Sequence, residues 1–543
     1  MDLKDQILRN EEQPIATNPT IISENESRLV RYIPGGYSRT RCLALKGRSM
    51  MYAILALAGT AIIFFGYDAS VMSQVNTNTN YLRLMSADSG SSRDAAAVGG
   101  IVSVWFGGFA IGALMVGAYA DKIGRLKTIE LGCLWGILGA ALQYSAQNIT
   151  WMILARVIGG IGCGHLNTVV PIWTSELADP HLRGAFVAVE FTLAIGGSTF
   201  VYWIEYACTK LQSDAFAWRF PVAFQMVFLI FVLAAAPFYP ESPRHLARNG
   251  QLDEARDILM RCRVDPDPTK IAVELEGIQQ ALELEAAAEA QTYWTMLTNK
   301  GKFHTRRRIL LGGGIQVMQK FTGIDFIATY APEMFSLSGF GGNTPTLLAG
   351  GNFISYTASL ALAIWLSDNV GRRKLMLSGS ILMGIVLIVG AVLSHEVERY
   401  SGNVGRAKQY GAGVATILYI YTALYGSTWL TTCWVYPTEV FPLATRAKGT
   451  ALATVAFSLA GGLINEIVPY LISAIDFYVF VLFACLNFAI LVPVYLFYIE
   501  TANRNLEDMD LLFSSKSPFV WRAERQFTVL TERRHEAGEH LGQ

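Results

Sequence analysis

Two charged residues lie where charge is expensive. Asp68 ends the apolar run Phe64-Phe65-Gly66-Tyr67-Asp68, and Arg156 stands inside Leu154-Ala155-Arg156-Val157-Ile158-Gly159. A charge buried in such a run costs a few kcal/mol unless a partner meets it, which makes each a functional candidate by default. Burial disfavours a charged carboxylate and a nearby guanidinium favours it, so a small movement between the two decides whether a proton is held. Should the two residues face each other, that allows a proton-driven step. About 2.3 kcal/mol per charge at 100 mV and about 1.4 kcal/mol per pH unit sum to about 3.7 kcal/mol, enough for several-hundredfold accumulation. A permanent ion pair that merely holds two helices together is the plainer alternative.

A second set of charges occurs twice. Gly117-Ala-Tyr-Ala-Asp121-Lys122-Ile-Gly124-Arg125-Leu-Lys127 returns as Ile364-Trp-Leu-Ser-Asp368-Asn-Val-Gly371-Arg372-Arg373-Lys374, each copy pressed between long apolar runs. Such a turn lets a chain cross a membrane, reverse and cross back. Glu176 stands seven residues before Arg183, and Glu439 seven before Arg446. Pro240-Glu241-Ser242-Pro243-Arg244 closes the last apolar run of the first half, and Ile499-Glu500-Thr501 closes that of the second. Paired signatures in one order indicate an internally duplicated six-helix unit. The acids and bases of these motifs are the expected gating residues: networks that close when helix ends approach favour one access state over the other. Static surface pairs of about 0–1 kcal/mol each are the alternative.

The elements that must position these groups are membrane helices. Of 543 residues, 52% are hydrophobic and 16% charged, with positive mean hydropathy, the balance of a membrane protein rather than of several soluble domains. Net charge is zero, which disfavours a nucleic-acid partner. Most of the seven cysteines lie in apolar runs without metal-ligand spacing, so reduced thiols, no metal and no cofactor are expected. Runs long enough to cross a hydrocarbon core of about 30 Å begin near Met50, Val98, Ile129, Trp151, Ala185 and Trp218, and again near Ile309, Thr346, Leu375, Ala412, Gly449 and Tyr478.

The fold expected is an all-α membrane protein, with twelve transmembrane helices in two pseudo-symmetric six-helix halves, 49–240 and 309–500. Residues 1–48 read as a polar, disordered arm without the apolar region of a signal peptide. Residues 241–308 read as short amphipathic helices between the halves, and 501–543 as a polar tail with one short amphipathic helix ending at Phe513. Basic residues, among them Lys122, Arg125, the run Arg306-Arg307-Arg308 and Arg372-Arg373-Lys374, gather on the side of both termini, which places that side in the cytosol. A monomer in the lipid bilayer is the default assembly.

From about residue 50 to about residue 505 these motifs resemble the sugar porters of the major facilitator superfamily, particularly its fungal members. The resemblance implies alternating access across the plasma membrane, a small-molecule sugar as cargo and a proton as co-substrate. Proton-coupled members are similar at both buried charges, with an acid on the first helix facing an arginine on the fourth. Uniporters commonly carry a neutral residue where Asp68 stands. The resemblance also implies a central cavity lined by helices seven, eight, ten and eleven, where amides and aromatic rings meet hydroxyls and apolar ring faces.

Several cavity positions depart from the family pattern. In Gln316-Val-Met-Gln319-Lys320-Phe-Thr322-Gly323-Ile-Asp325, Gln319 keeps the first of the paired amides, Lys320 replaces the second, and Asp325 stands where asparagine is usual. Trp434 is kept on the tenth helix, with Thr431 and Cys433 in place of two prolines. Phe457 and Ser458 replace an asparagine and a tryptophan on the eleventh. Tyr356 replaces an asparagine on the eighth, and Glu190-Phe191 stands where an amide pair is common on the fifth. Gln316, Gln319, Asp325, Tyr330, Tyr356, Trp434 and Asn465 are the expected substrate residues, with His165 and Asn167 as further candidates. Lys320 and Asp325 are five apart, about 140° around a helix, and make poor partners unless the helix breaks near Gly323. Glu500 is kept after the twelfth helix but the family's following lysine and glycine are lost, which weakens the expected gating contact there.

The function expected is secondary active transport of a mono- or disaccharide, by proton symport. Facilitated diffusion of a sugar, polyol or other small polar metabolite is the alternative, and a transporter-like sugar sensor is disfavoured by the short tail. No nucleophile-base arrangement at motif spacing supports an enzyme. Asn148-Ile-Thr150 is a glycosylation-type sequence too close to the bilayer to serve as one.

Overall fold

The computed structural model describes residues 45–529, apart from 90–91, 180–182, 212–213, 265, 288–292, 299–304, 338, 342–343, 401, 443–444, 503, 505–508, 510–511, 514 and 516. The arm expected over 1–48 therefore lies almost wholly outside the described residues, as does 530–543. Every regular element among the described residues is a helix.

Twelve crossings are present among them. In the first half they are α1 (Arg48–Ser70), α2 (Ser92–Ile123), α3 (Arg125–Tyr144), α4 (Ile149–Leu177), α5 (Arg183–Leu211) and α6 (Asp214–Ala235). In the second half α7 (Thr305–Phe321) is continued, after a break, by Ile324–Thr329 and Ala331–Leu337. It is followed by α8 (Thr344–Val370), α9 (Arg372–Arg399), α10 (Val404–Tyr425, continued by Gly426–Leu430 and Thr431–Val440), α11 (Arg446–Ile475) and α12 (Tyr478–Phe497). Among the described residues, seven helices are long and apolar enough to cross a membrane by length and composition alone.

Local chemistry sets the ends of these helices. The side chain of Asn148 accepts the Trp151 N–H at the start of α4, and that of Asn403 accepts the Arg406 N–H at the start of α10. An N-terminal cap of this kind satisfies a donor that the helix itself leaves open. Asn148 thus has a role in the fold as the cap of α4. Ser242 caps the linker helix Pro243–Arg248 in the same way, with proline at its first position.

Packing within the first half depends on small residues in α4. A Cβ on Gly160 would lie 2.3 Å from the carbonyl oxygen of Trp105, and one on Gly164 would lie 2.2 Å from that of Phe109. Such contacts let α4 lie directly on α2, where dispersion between close backbones replaces the hydrophobic drive that lipid cannot supply. The two halves meet along α2 with α11 and along α5 with α8. Ser103 Oγ donates to the Gly462 carbonyl oxygen at 2.9 Å, and the Thr199 and Thr357 hydroxyls meet at 2.8 Å.

Between the halves run the short helices Pro243–Arg248, Leu252–Cys262, Pro268–Ala287 and Tyr293–Thr298; Ala255, Leu259 and Ile271 are buried, whereas Val273 of the expected apolar stripe is exposed. The tail departs from expectation. Met509, Leu512 and Phe513 are buried in the core of the second half, and a further helix runs over 520–529 with Val520 and Ala523 buried. The guanidinium of Arg308 lies 4.3 Å from the Phe513 ring centre and that of Arg307 5.1 Å. The basic run before α7, a topology signal in sequence, is therefore also a cation–π clamp on the tail.

Candidate functional site

The buried acid and base meet. Arg156 Nη1 donates to Asp68 Oδ1 at 3.2 Å and to the Asp68 carbonyl oxygen at 3.4 Å, and both side chains are 1% exposed. The second oxygen, Oδ2, accepts from Trp105 Nε1 at 2.6 Å and from the Cys163 thiol at 3.2 Å. The guanidinium also sits 5.5 Å from the Trp105 ring centre. Among the described residues Arg156 Nε has no hydrogen-bond partner. A buried pair repays its desolvation when every remaining donor is satisfied, so this one stays short of a fully locked bridge. Trp105 and Cys163 escape a reading of the sequence. Nothing in an apolar run marks which tryptophan or cysteine will face a carboxylate on another helix.

The central site begins at a break. Gly323 has φ of 100°, a left-handed conformation that ends α7 and restarts the helix at Ile324. The carbonyl oxygen of Thr322, left free by the break, accepts Tyr421 Oη at 2.8 Å and Asn487 Nδ2 at 2.8 Å. This break is the condition under which the helical wheel lets the neighbouring charges meet. Lys320 Nζ lies 2.9 Å from Asp325 Oδ1 and the two form a buried ion pair, because residues on either side of the break no longer follow one helical spiral. Asn465 Nδ2 donates to the other Asp325 oxygen at 3.1 Å, and Tyr330 Oη donates to the Asn465 carbonyl oxygen at 3.0 Å.

The remaining expected substrate residues surround this triad. Gln319 Nε2 donates to Tyr425 Oη at 2.7 Å, and its amide oxygen is buried without a partner among the described residues. Gln316 instead ties α7 to α10 through the Cys433 carbonyl oxygen at 3.0 Å. Tyr356 is buried with its ring edge against Tyr425. Trp434 stacks on Phe191 from the opposite half, ring centres 5.1 Å apart, and contacts Phe457 at the same separation. Phe457 in turn meets Phe106 and Phe109 and lies 4.1 Å from Lys320 Nζ. The two replacements read as departures, Phe191 and Phe457, thus build an aromatic bridge across the centre. His165 is fully buried, bonded to Tyr119 Oη and, through Nδ1, to the Ile161 carbonyl oxygen. Asn167 is buried on the same helix, α4.

Between Gly323 and Trp434, α10 passes through a wide π turn at Gly426–Leu430. A Cβ at Gly426 would lie 2.1 Å from Ser359 Oγ, so glycine lets this turn press on α8.

At the end bearing the charged turns, two clusters repeat. Glu241 accepts the backbone N–H groups of Arg125, Leu126 and Ser242 at 3.0, 3.2 and 2.8 Å. Glu500 accepts those of Arg372, Arg373, Thr501 and Ala502 at 2.7, 3.2, 3.1 and 3.2 Å. Loss of the lysine and glycine after Glu500 does not reach this contact, since it uses a carboxylate and main-chain donors. Arg125 holds Glu176 through Nε and Nη2 at 2.9 and 3.0 Å and Asp121 at 2.9 Å, while Asp121 also meets Arg248. In the second half Arg372 holds Glu439 at 3.0 Å. Arg373 donates to the Tyr495 carbonyl oxygen, Arg446 to that of Phe441, and the Arg244 N–H is capped by Ser242 Oγ. The side chains of Arg183 and Asp368 lie outside the described residues. The first network draws in the start of the linker through Glu241 and Arg248, and in the second Arg372 meets both Glu439 and Glu500. Burial lifts the Glu241 carboxyl above the usual carboxylate range, against the pull of its N–H donors and Arg125.

Gly124 and Gly371 make these clusters possible. Their φ angles are 98° and 97°, and a Cβ on either would lie 2.6 Å from the glutamate it faces. Gly371→Ala is expected to lower stability by about 1–3 kcal/mol, read as a fall in the midpoint of thermal unfolding in detergent. Gly402→Ala, in the loop before α10 with open space around it, is the control and is expected to change little.

The family profile described as "Sugar (and other) transporter" matches residues 52–513. The chain is 32% identical over 481 residues to the MFS-type transporter oryC of Aspergillus oryzae, covering 88% of each. It is 28% identical to the sugar transporter STL1 of Saccharomyces cerevisiae, covering 88% of this chain and 84% of that one. Among solved structures it is similar to the proton:xylose symporter XylE bound to 6-bromo-6-deoxy-D-glucose, with a TM-score of 0.72, 22% identity, and coverage of 86% of this chain and 99% of the other. That likeness is one of fold.

Proposed function

Because this chain belongs to the sugar (and other) transporter family, and so is a multi-pass membrane transporter and not an enzyme, we propose that it carries a mono- or disaccharide by alternating access, driven by proton symport. The observation that carries the coupling is the Asp68–Arg156 pair, buried yet with a guanidinium nitrogen that has no partner among the described residues. Protonation of Asp68 removes the charge that holds Arg156, so cargo binding and rocking of the halves compete for the same contact. Gln319, Gln316, Trp434, Asp325, Tyr330, Tyr356 and Asn465 form or brace the cargo site. The Glu241 and Glu500 clusters brace the ends of their own halves, so that each moves as one body. The distribution of basic residues supports cytosolic termini, and the plasma membrane with a monomeric chain is the setting that fits.

A second reading concerns the cargo. Lys320, paired with Asp325 and set between aromatic rings, suits a polyol or a charged polar metabolite better than an all-amide site would. Uptake of a radiolabelled panel of sugars, polyols and sugar acids in transporter-deficient cells, with and without a protonophore, tests both readings. Concentrative uptake of a neutral sugar that collapses with the protonophore is expected. Uptake unaffected by it overturns symport in favour of facilitated diffusion.

A further inference from the structure

We propose that the first half carries a second binding site for a polyhydroxylated molecule, at the end of the bundle opposite the charged turns. A cavity of about 190 Å³ lies there between the end of α1 and helices α5 and α6, lined by Gln74, Val75, Thr77, Asn78, Glu205 and Trp218. Glu205 is 1% exposed, and neither of its carboxylate oxygens has a hydrogen-bond partner among the described residues. Its neighbours are already engaged. Gln74 Nε2 donates to the Tyr202 carbonyl oxygen, and the Thr77 hydroxyl donates to that of Gln74. Asn78 Oδ1 accepts the Tyr81 N–H, and Trp218 Nε1 donates to Asn80.

A buried acceptor with no donor is costly, and a ligand that brings donors removes that cost. Both oxygens are closed off from the cavity in this conformation, so binding requires the Glu205 side chain to turn toward it. Two hydroxyls on adjacent carbons then match the need, because a vicinal diol gives one O–H to each oxygen of a carboxylate. The indole of Trp218 and the side chain of Val75 supply apolar walls for the C–H faces of such a ligand. A calcium or magnesium ion fits poorly, since it takes six or more oxygen ligands, usually with several carboxylates, and the lining holds one carboxylate. The cavity has the size of one monosaccharide or a smaller polyol. Every lining residue belongs to the first half, so rocking of the halves leaves the site intact. It would hold a cargo molecule at the mouth while the centre is closed.

This proposal rests on the reading of the cargo as polyhydroxylated. Its test is equilibrium dialysis of the purified full chain in detergent with radiolabelled D-glucose, D-xylose and glycerol. The wild type is expected to bind two molecules of at least one probe per chain. Glu205→Gln and, independently, Ala217→Leu, a substitution at another lining residue that fills the cavity, are each expected to bind one. Gln319→Ala is expected to lose the central molecule and keep the one at Glu205. One molecule per chain in the wild type overturns the second site and leaves the cargo reading standing, as do two in both cavity variants. No binding of any probe overturns the cargo reading and the second site together.

Discussion

Asp68→Asn is expected to abolish concentrative uptake while exchange of cargo between the two sides continues. The substitution keeps the shape of the side chain and removes the group that takes the proton. The carboxylate accepts from Arg156, Trp105 and Cys163, and an asparagine oxygen keeps one or two of these contacts. What it cannot do is change charge. With the proton gradient uncoupled, the about 3.7 kcal/mol available from 100 mV and one pH unit no longer reaches the cargo, and accumulation falls from several-hundredfold to unity. The variant leaves Arg156 without a counter-ion, a defect of about 3–5 kcal/mol in a buried pair, so rates are compared per folded molecule in proteoliposomes. Counterflow loaded on one side with unlabelled cargo separates the outcomes. Retained exchange with lost accumulation supports coupling at Asp68; retained accumulation sinks it.

The second large effect is expected at the Lys320–Asp325 pair. Lys320→Gln leaves Asp325 as a buried charge with Asn465 as its donor, and Asp325→Asn leaves the ammonium facing Phe106 and Phe457. Each single substitution is expected to cost about 3–5 kcal/mol of stability, the range for breaking one partner out of a buried pair. The double substitution removes both charges and is expected to recover most of that loss, giving a coupling energy of several kcal/mol in a double-mutant cycle. It also installs the amides usual among related porters. Uptake in the double variant should therefore shift toward neutral hexoses. Additive losses in the cycle would show that the two side chains act separately.

Much of the architecture was legible in the chain. The apolar runs, the doubled Gly-Arg turns and the paired glutamates predict twelve helices in two halves, and the helices begin close to where those runs begin. Glu241 and Glu500 could be singled out because each closes a long apolar run. Their use as acceptors for the main chain after Gly124 and Gly371 could not, since it requires the turn to fold back on the end of a distant helix. The Lys320–Asp325 pair was legible only as conditional on a break, for a related reason. Spacing describes an unbroken helix, and the left-handed residue at Gly323 resets the spiral. The tail shows the same limit, because a short amphipathic segment does not announce which core will receive Phe513.

The sequence by itself determined which residues are apolar enough to enter a membrane, where the chain must turn, and which charges are too costly to bury without purpose. Those are local properties, set by transfer free energy and backbone conformation along the chain. Only the tertiary structure decided which partners the charges meet: Trp105 and Cys163 at Asp68, the aromatic bridge of Phe191, Trp434 and Phe457, and the unclaimed carboxylate of Glu205. Partnership is a matter of distance in space, and the helices that bring these groups together are far apart in sequence.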